Sequence, residues 1–134
     1  MKPINRKEFL TTTATLTAGA AVPVQLQTEE HKKQLVHDEF FWLKNPGSVE
    51  DRNKLVEGVK SLANIGTIRK LHVGIVGSTE KREVVNTSWG VSELLFFDNE
   101  AGQKIYQDHP IHQVFIKNYS HLWVKVVVYD AVEV

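Results

Sequence analysis

Leu35-Val36-His37-Asp38-Glu39-Phe40-Phe41-Trp42-Leu43-Lys44, halted by Asn45-Pro46-Gly47, reads as a β-strand running into a turn. Branched and aromatic residues favour a strand, and Asn-Pro-Gly breaks one. Period-two alternation puts His37, Glu39, Phe41 and Leu43 on one face and Val36, Asp38, Phe40 and Trp42 on the other. Ionisable side chains therefore share a face with large apolar ones, which is unusual for a strand that packs on a core.

Downstream, Ser48 is a good N-cap, with Asp51 three residues later. Leu55, Val56, Val59, Leu62 and Ala63 recur at helical spacing, and Gly66 is placed to stop the helix. A second strand is expected over Ile68–Val76, then a polar connection from Gly77 to Glu83. A third strand is expected over Trp89–Phe97, with Val84 as its earliest start. Asp98 is positioned to cap a second helix carrying Ala101, Ile105 and Tyr106. Pro110 interrupts that helix and starts another, Ile111–Tyr119, and Leu122–Asp130 forms the last strand. Strand, helix, strand, strand, helix, strand is the ferredoxin-like βαββαβ order of an α+β domain: a four-stranded antiparallel sheet with its helices on one face.

The other face would be bare. With Phe40, Trp42, Trp89, Val91, Leu95 and Phe97 assigned to it, that face is too apolar for water. A second copy packed sheet to sheet would cover it, so a homodimer through the sheet face is expected. On the third strand this assignment sends Gly90, Ser92, Leu94 and Phe96 towards the helices.

Length and charge set outer limits. The chain has 134 residues, room for one domain. Its 16 Lys and Arg balance 16 Asp and Glu, so no basic field attracts nucleic acid. There is no cysteine, which excludes thiolate chemistry and disulfides. Lys2, Arg6 and Lys7 precede a mild apolar run from Phe9 to Val22 with small residues at Ala18-Gly19-Ala20-Ala21. That pattern suggests a signal peptide over residues 1–21, followed by a flexible lead-in over 22–34 and a domain over 35–134. Asn5-Arg6-Lys7-Glu8-Phe9-Leu10 resembles a twin-arginine export signal with lysine as the second base, and a Sec signal also fits. The expectation is an exported, periplasmic protein, cytoplasmic if the signal goes unused. The run is too short and threonine-rich for a permanent membrane span.

Three segments together resemble the stress-responsive A/B-barrel (Dabb) family. They are Val36-His37 with Phe41-Trp42-Leu43-Lys44; Tyr106-Gln107-Asp108-His109-Pro110-Ile111-His112 with Phe115; and the closing strand with Trp123 and Asp130. Gly74 and Phe96 also fall where that family favours Gly and Phe. The resemblance spans about Leu35 to Asp130. It implies a dimeric α+β barrel with a cavity between sheet and helices. The plant polyketide cyclases of this family close a ring by an intramolecular aldol-type condensation. They use a histidine at the position of His112 and a tyrosine near that of Tyr106, and they carry a histidine where this chain has Gly90.

Each candidate site residue has a catalytic and a structural reading. His112 lies near a helix N-terminus, where neutral imidazole is favoured and can act as a general base; the alternative is a histidine that packs the helix start. Tyr106 could donate to a substrate carbonyl or enolate, or be a core aromatic. His37 and Glu39 enter the same cavity if their face meets the helices, where Glu39 would orient His37 or simply be satisfied by it. Ser92 and His109 complete a substrate-binding set, although the extended backbone before Pro110 also suits His109 for fixing a turn. His37, Glu39, His109 and His112 have the chemistry of metal ligands, but His-x-x-His around a proline is not a helical metal pair, so no metal and no cofactor are expected. Two functions stay open. One is an enzyme transforming a small apolar carbonyl compound by histidine acid/base chemistry. The other is a non-catalytic stress-response or ligand-binding module.

Overall fold

The structure is a computed structural model that describes residues 33–134. The expected signal peptide over 1–21, and the lead-in up to residue 32, lie outside the described residues. The elements run β1 (Leu35–Leu43), α1 (Val49–Ser61), β2 (Ile68–Ile75), β3 (Val91–Phe97), α2 (Glu100–Asp108), α3 (Pro110–Tyr119) and β4 (Trp123–Val132). Short 3-10 turns at Leu62–Asn64 and Ser120–Leu122 extend α1 and α3. All strand pairs are antiparallel in the order β2-β3-β1-β4, which is the ferredoxin-like fold. Among the described residues, no helix is long and apolar enough to cross a membrane.

Local chemistry explains the boundaries. Ser48 Oγ accepts from Asp51 N at 3.1 Å and opens α1. Asn99, rather than Asp98, caps α2, its Oδ1 accepting from Gly102 N at 2.9 Å. Asp98 is diverted to Arg69, whose Nε donates to it at 3.0 Å. Pro110 occupies the first turn of α3, where its missing N–H costs no hydrogen bond. β3 starts at Val91, later than the aromatic run suggested. The segment before it is held as a loop: Asn86 Oδ1 accepts from Ser88 N, and Trp89 Nε1 donates to Asn86 O.

The helices cover one face of the sheet. Buried there are Leu35, His37, Phe41 and Leu43 from β1 and Val91, Glu93, Leu95 and Phe97 from β3. Leu55, Val59, Leu62, Tyr106, Phe115 and Leu122 meet them from the helical layer. Phe41 lies 4.9 Å from the Trp123 ring and 6.3 Å from Phe115.

The assignment of β3 faces made from the sequence is thereby reversed. Val91, Leu95 and Phe97 lie under the helices, while Ser92, Leu94 and Phe96 line the open face. Pairing dictates this, because opposed residues in an antiparallel ladder share a face. Phe41 opposes Val91, His37 opposes Leu95 and Leu35 opposes Phe97. Phe40 opposes Ser92, so Ser92 is withdrawn from the site. Its hydroxyl occupies space beside Gly74, where a Cβ would meet Ser92 Oγ at 2.7 Å. Phe40, Trp42 and Trp89 do belong to the open side: Phe40 meets Trp89 at 5.3 Å and Tyr129 at 6.3 Å. Lys125 lies over Trp42 and Lys70 over Phe96, so part of that surface is screened by cations.

The reversal is open to a direct test. Leu95→Ala removes a fully buried side chain and should cost about 2–5 kcal/mol in urea denaturation. A loss comparable to an exposed-site change would place Leu95 on the open face instead.

Candidate functional site

β1 and β3 bring three ionisable groups under α2. His37 and Glu39 project from the helix-facing side of β1, and Glu93 lies opposite Glu39 in the ladder. Tyr106 reaches down from α2, and its hydroxyl donates to Glu93 Oε1 at 2.8 Å. Its ring lies 5.7 Å from that of His37 and 4.7 Å from that of His112. Asp130, opposite His37 on β4, closes the group from the other side.

His37 is clasped between carboxylates. Nδ1 lies 2.6 Å from Asp130 Oδ1 and Nε2 lies 3.3 Å from Glu39 Oε2. Carboxylate oxygens accept, so both ring nitrogens donate and the imidazole is protonated. Burial alone would lower its pKa, but the hydrogen bonds and charges of Glu39 and Asp130 outweigh burial and raise it to about 9. His37 is therefore a cation at neutral pH. Glu39 is satisfied by this histidine, and its side chain stays 13% exposed.

Glu93 is fully buried, and burial pushes its carboxyl well above the usual range, with the neighbouring charge of Glu39 adding to the rise. Only Oε1 has a partner; Oε2 is buried without one. Tyr106 is raised by burial and by Glu93, so it stays a neutral donor. Its hydroxyl is spent on Glu93 rather than free for a substrate.

His112 has the opposite character from His37. Nδ1 lies 3.1 Å from the Gln107 carbonyl, which only accepts, so Nδ1 carries the proton and Nε2 keeps its lone pair. Burial holds its pKa below the ordinary value, and neutral imidazole prevails. His109 is set aside from this cluster. Its Nδ1 accepts from Ile111 N at 3.1 Å and caps α3, so its side chain is occupied in starting the helix.

The structure thus gathers His37, Glu39, Tyr106 and His112, and leaves out Ser92 and His109. It adds two groups that the sequence reading did not place in the site. Asp130 stood only as a family-like strand end. Glu93 is the second, and an acid inside the apolar run Val91-Ser92-Glu93-Leu94-Leu95-Phe96-Phe97 is a signal in itself. The space at Gly90 is closed to a larger residue, since a Cβ there would meet Leu43 Cγ at 2.9 Å. A groove of about 320 Å3, lined by Leu35, Asn99, Ala101 and Val132 among others, opens at one end of the sheet.

The comparisons agree with this architecture. A Dabb family protein from Mesorhizobium loti shares the fold with a TM-score of 0.61 at 19% identity, covering 76% of this chain and 98% of that one. A dimeric ferredoxin-like protein of unknown function from Bacteroides fragilis has a TM-score of 0.59 at 24% identity, covering 75% and 96%. A hydroxynitrile lyase from Passiflora edulis has a TM-score of 0.63 at 16% identity, covering 76% and 94%. At these identities the likeness is one of fold. No curated protein sequence matches the chain. The family model described as the stress responsive A/B barrel domain matches residues 35–133, nearly all of the described chain, and the protein therefore belongs to the Dabb family.

Proposed function

We propose that this chain is a small-molecule acid/base catalyst that acts on an apolar carbonyl compound, with His112 as the proton acceptor. The observation that carries this reading is the His112 tautomer. Gln107 O fixes the proton on Nδ1, and Nε2 is left as a neutral base beside the Tyr106 ring. His37 contributes positive charge to the same region, suited to stabilising an enolate or oxyanion. Tyr106 acts as a positioning residue through Glu93. The surrounding Phe97 and Phe115 rings favour an apolar substrate. The fold shared with a hydroxynitrile lyase supports the substrate class, because a hydroxynitrile is the cyanide adduct of a carbonyl compound.

A second reading is a non-catalytic ligand-binding or stress-response module. It is favoured by the complete burial of Tyr106 and Glu93 and by the closed space at Gly90. The two readings part on His112. A panel of small ketones, aldehydes and hydroxynitriles would be assayed for α-proton exchange or carbon–carbon cleavage. His112→Gln should lower kcat/KM by about 100-fold or more, as expected for a lost general base. Equal rates in wild type and variant would remove His112 from the chemistry.

The pH profile carries its own sign. A base must be deprotonated, and burial puts the His112 pKa below its ordinary 6.5. kcat/KM should therefore be flat through neutrality and fall with acid only below that value. An inflection above it would assign the essential base elsewhere.

The open face supports a homodimer. Phe40, Leu94 and Phe96 are half-buried on a surface that no helix among the described residues covers, and a second copy is the apolar partner proposed for it. Three solved structures of this fold are described as dimeric. Phe40→Glu should convert a dimer to a monomer in light scattering while leaving the circular dichroism spectrum unchanged.

Export through residues 1–21 completes the reading. Expression of the full chain in a bacterium should yield periplasmic protein shortened near residue 21, identified by N-terminal sequencing. A full-length cytoplasmic product would overturn it.

A further inference from the structure

Beneath α2 lies a donor set with no direct proton-transfer role in acid/base catalysis by His112. We propose that His37 Nε2, Glu39 and Glu93 bind one divalent transition-metal ion, with Asp130 and Tyr106 holding the ligands in place. The site goes beyond the acid/base reading and does not depend on it, since His112 is not among the ligands.

Four observations meet here. First, the ligand atoms of His37, Glu39 and Glu93 all lie within 4.8 Å of one another. Two donors on one tetrahedral zinc sit about 3.4 Å apart, given bonds of about 2.1 Å, so side-chain rotation must close any pair by no more than about 1.4 Å. His37 Nε2 and Glu39 Oε2 already stand at 3.3 Å.

Second, Glu93 Oε2 is buried with no hydrogen-bond partner, in a residue with no exposed surface. An unpartnered carboxyl oxygen in the interior is costly, and a bound cation is a partner that removes the cost. The other oxygen is tied to the Tyr106 hydroxyl at 2.8 Å, which fixes the carboxyl plane.

Third, Asp130 Oδ1 holds His37 Nδ1 at 2.6 Å. That bond keeps a proton on Nδ1 and reserves Nε2 for a metal, the carboxylate–histidine–metal arrangement that orients ligands in known centres. Binding requires that Nε2 lose the proton it shares with Glu39 and that the Glu93 carboxyl give up its own. Positive charge then stays in the same place, carried by the ion instead of the imidazolium.

Fourth, the donors are one imidazole nitrogen and two carboxylates, with no thiolate anywhere in the chain. That mixture suits Zn2+, Mn2+ or Fe2+ rather than a thiophilic ion. Glu39 is the most exposed of the three ligands and marks the side from which the ion and its water ligands enter.

The test uses the full chain stripped with a chelator. Zn2+ is titrated calorimetrically, and Co2+ is added to read ligand geometry from its visible absorption. Binding of one Zn2+ per chain is expected, with a rise in melting temperature. Glu93→Gln should abolish that binding. Asp130→Asn, at a side chain 48% exposed and therefore safe for folding, should weaken it about 10–100-fold. His109→Gln with His112→Gln should leave affinity unchanged. The proposal is overturned if wild-type protein takes up no Zn2+ at micromolar concentrations. It is equally overturned if Asp130→Asn binds as tightly as wild type, or if the His109 and His112 replacements abolish binding.

Discussion

β1 is hydrogen-bonded on both sides, to β3 and to β4, and every face assignment in the sheet follows from that double pairing. A residue of β3 or β4 has no choice of side once its opposite number on β1 is set. Phe41 must lie beneath the helices because it fills the core between Trp123 and Phe115. Its partners Val91 and Val126 go with it, and so do His37, Glu39 and Glu93. Shifting the ladder by one residue would expose Phe41 and bury Asp38 together with Lys125, which the energetics of apolar burial and charge desolvation both forbid.

The same register builds the electrostatics. Three carboxyl groups converge on one imidazole, and each is handled differently. Asp130 stays partly in water and grips His37 through Nδ1. Glu39 sits at the edge of the buried region and shares the His37 charge. Glu93, enclosed on all sides, is driven towards its neutral form and leans on Tyr106. Burial and pairing thus give two histidines of one small site opposite states: a cation at His37 and a neutral ring at His112. That separation lends the cluster its chemical interest, because acid and base roles need groups whose pKa values are pushed apart.

The helices serve this arrangement as well as covering it. Pro110 and the His109 cap start α3 at a fixed point, and His112 follows in its first turn. Its ring lands against Tyr106, and the carbonyl of Gln107, in the last turn of α2, selects its tautomer. The Tyr-x-x-His-Pro-x-His run is therefore a hinge between two helices whose geometry hands one histidine to the backbone and the other to the site.

Element order, the first helix cap and the strand breaks were legible from local rules. Ser48 starts a helix, Pro110 restarts one, and alternation in Leu35–Leu43 pairs His37 with Glu39, because each depends on neighbours a few residues away. The family was also legible, since its motif residues are close in sequence. Which face of β3 meets the helices was not, because Val91-Ser92-Glu93-Leu94-Leu95-Phe96-Phe97 is apolar on both sides and alternation alone cannot orient it. Only the pairing of Phe41 with Val91, residues fifty positions apart, settled that Ser92 faces outward and Glu93 inward. The charge states of the histidines were decided at the same level, because they depend on burial and on Asp130, which long-range strand pairing brings alongside His37.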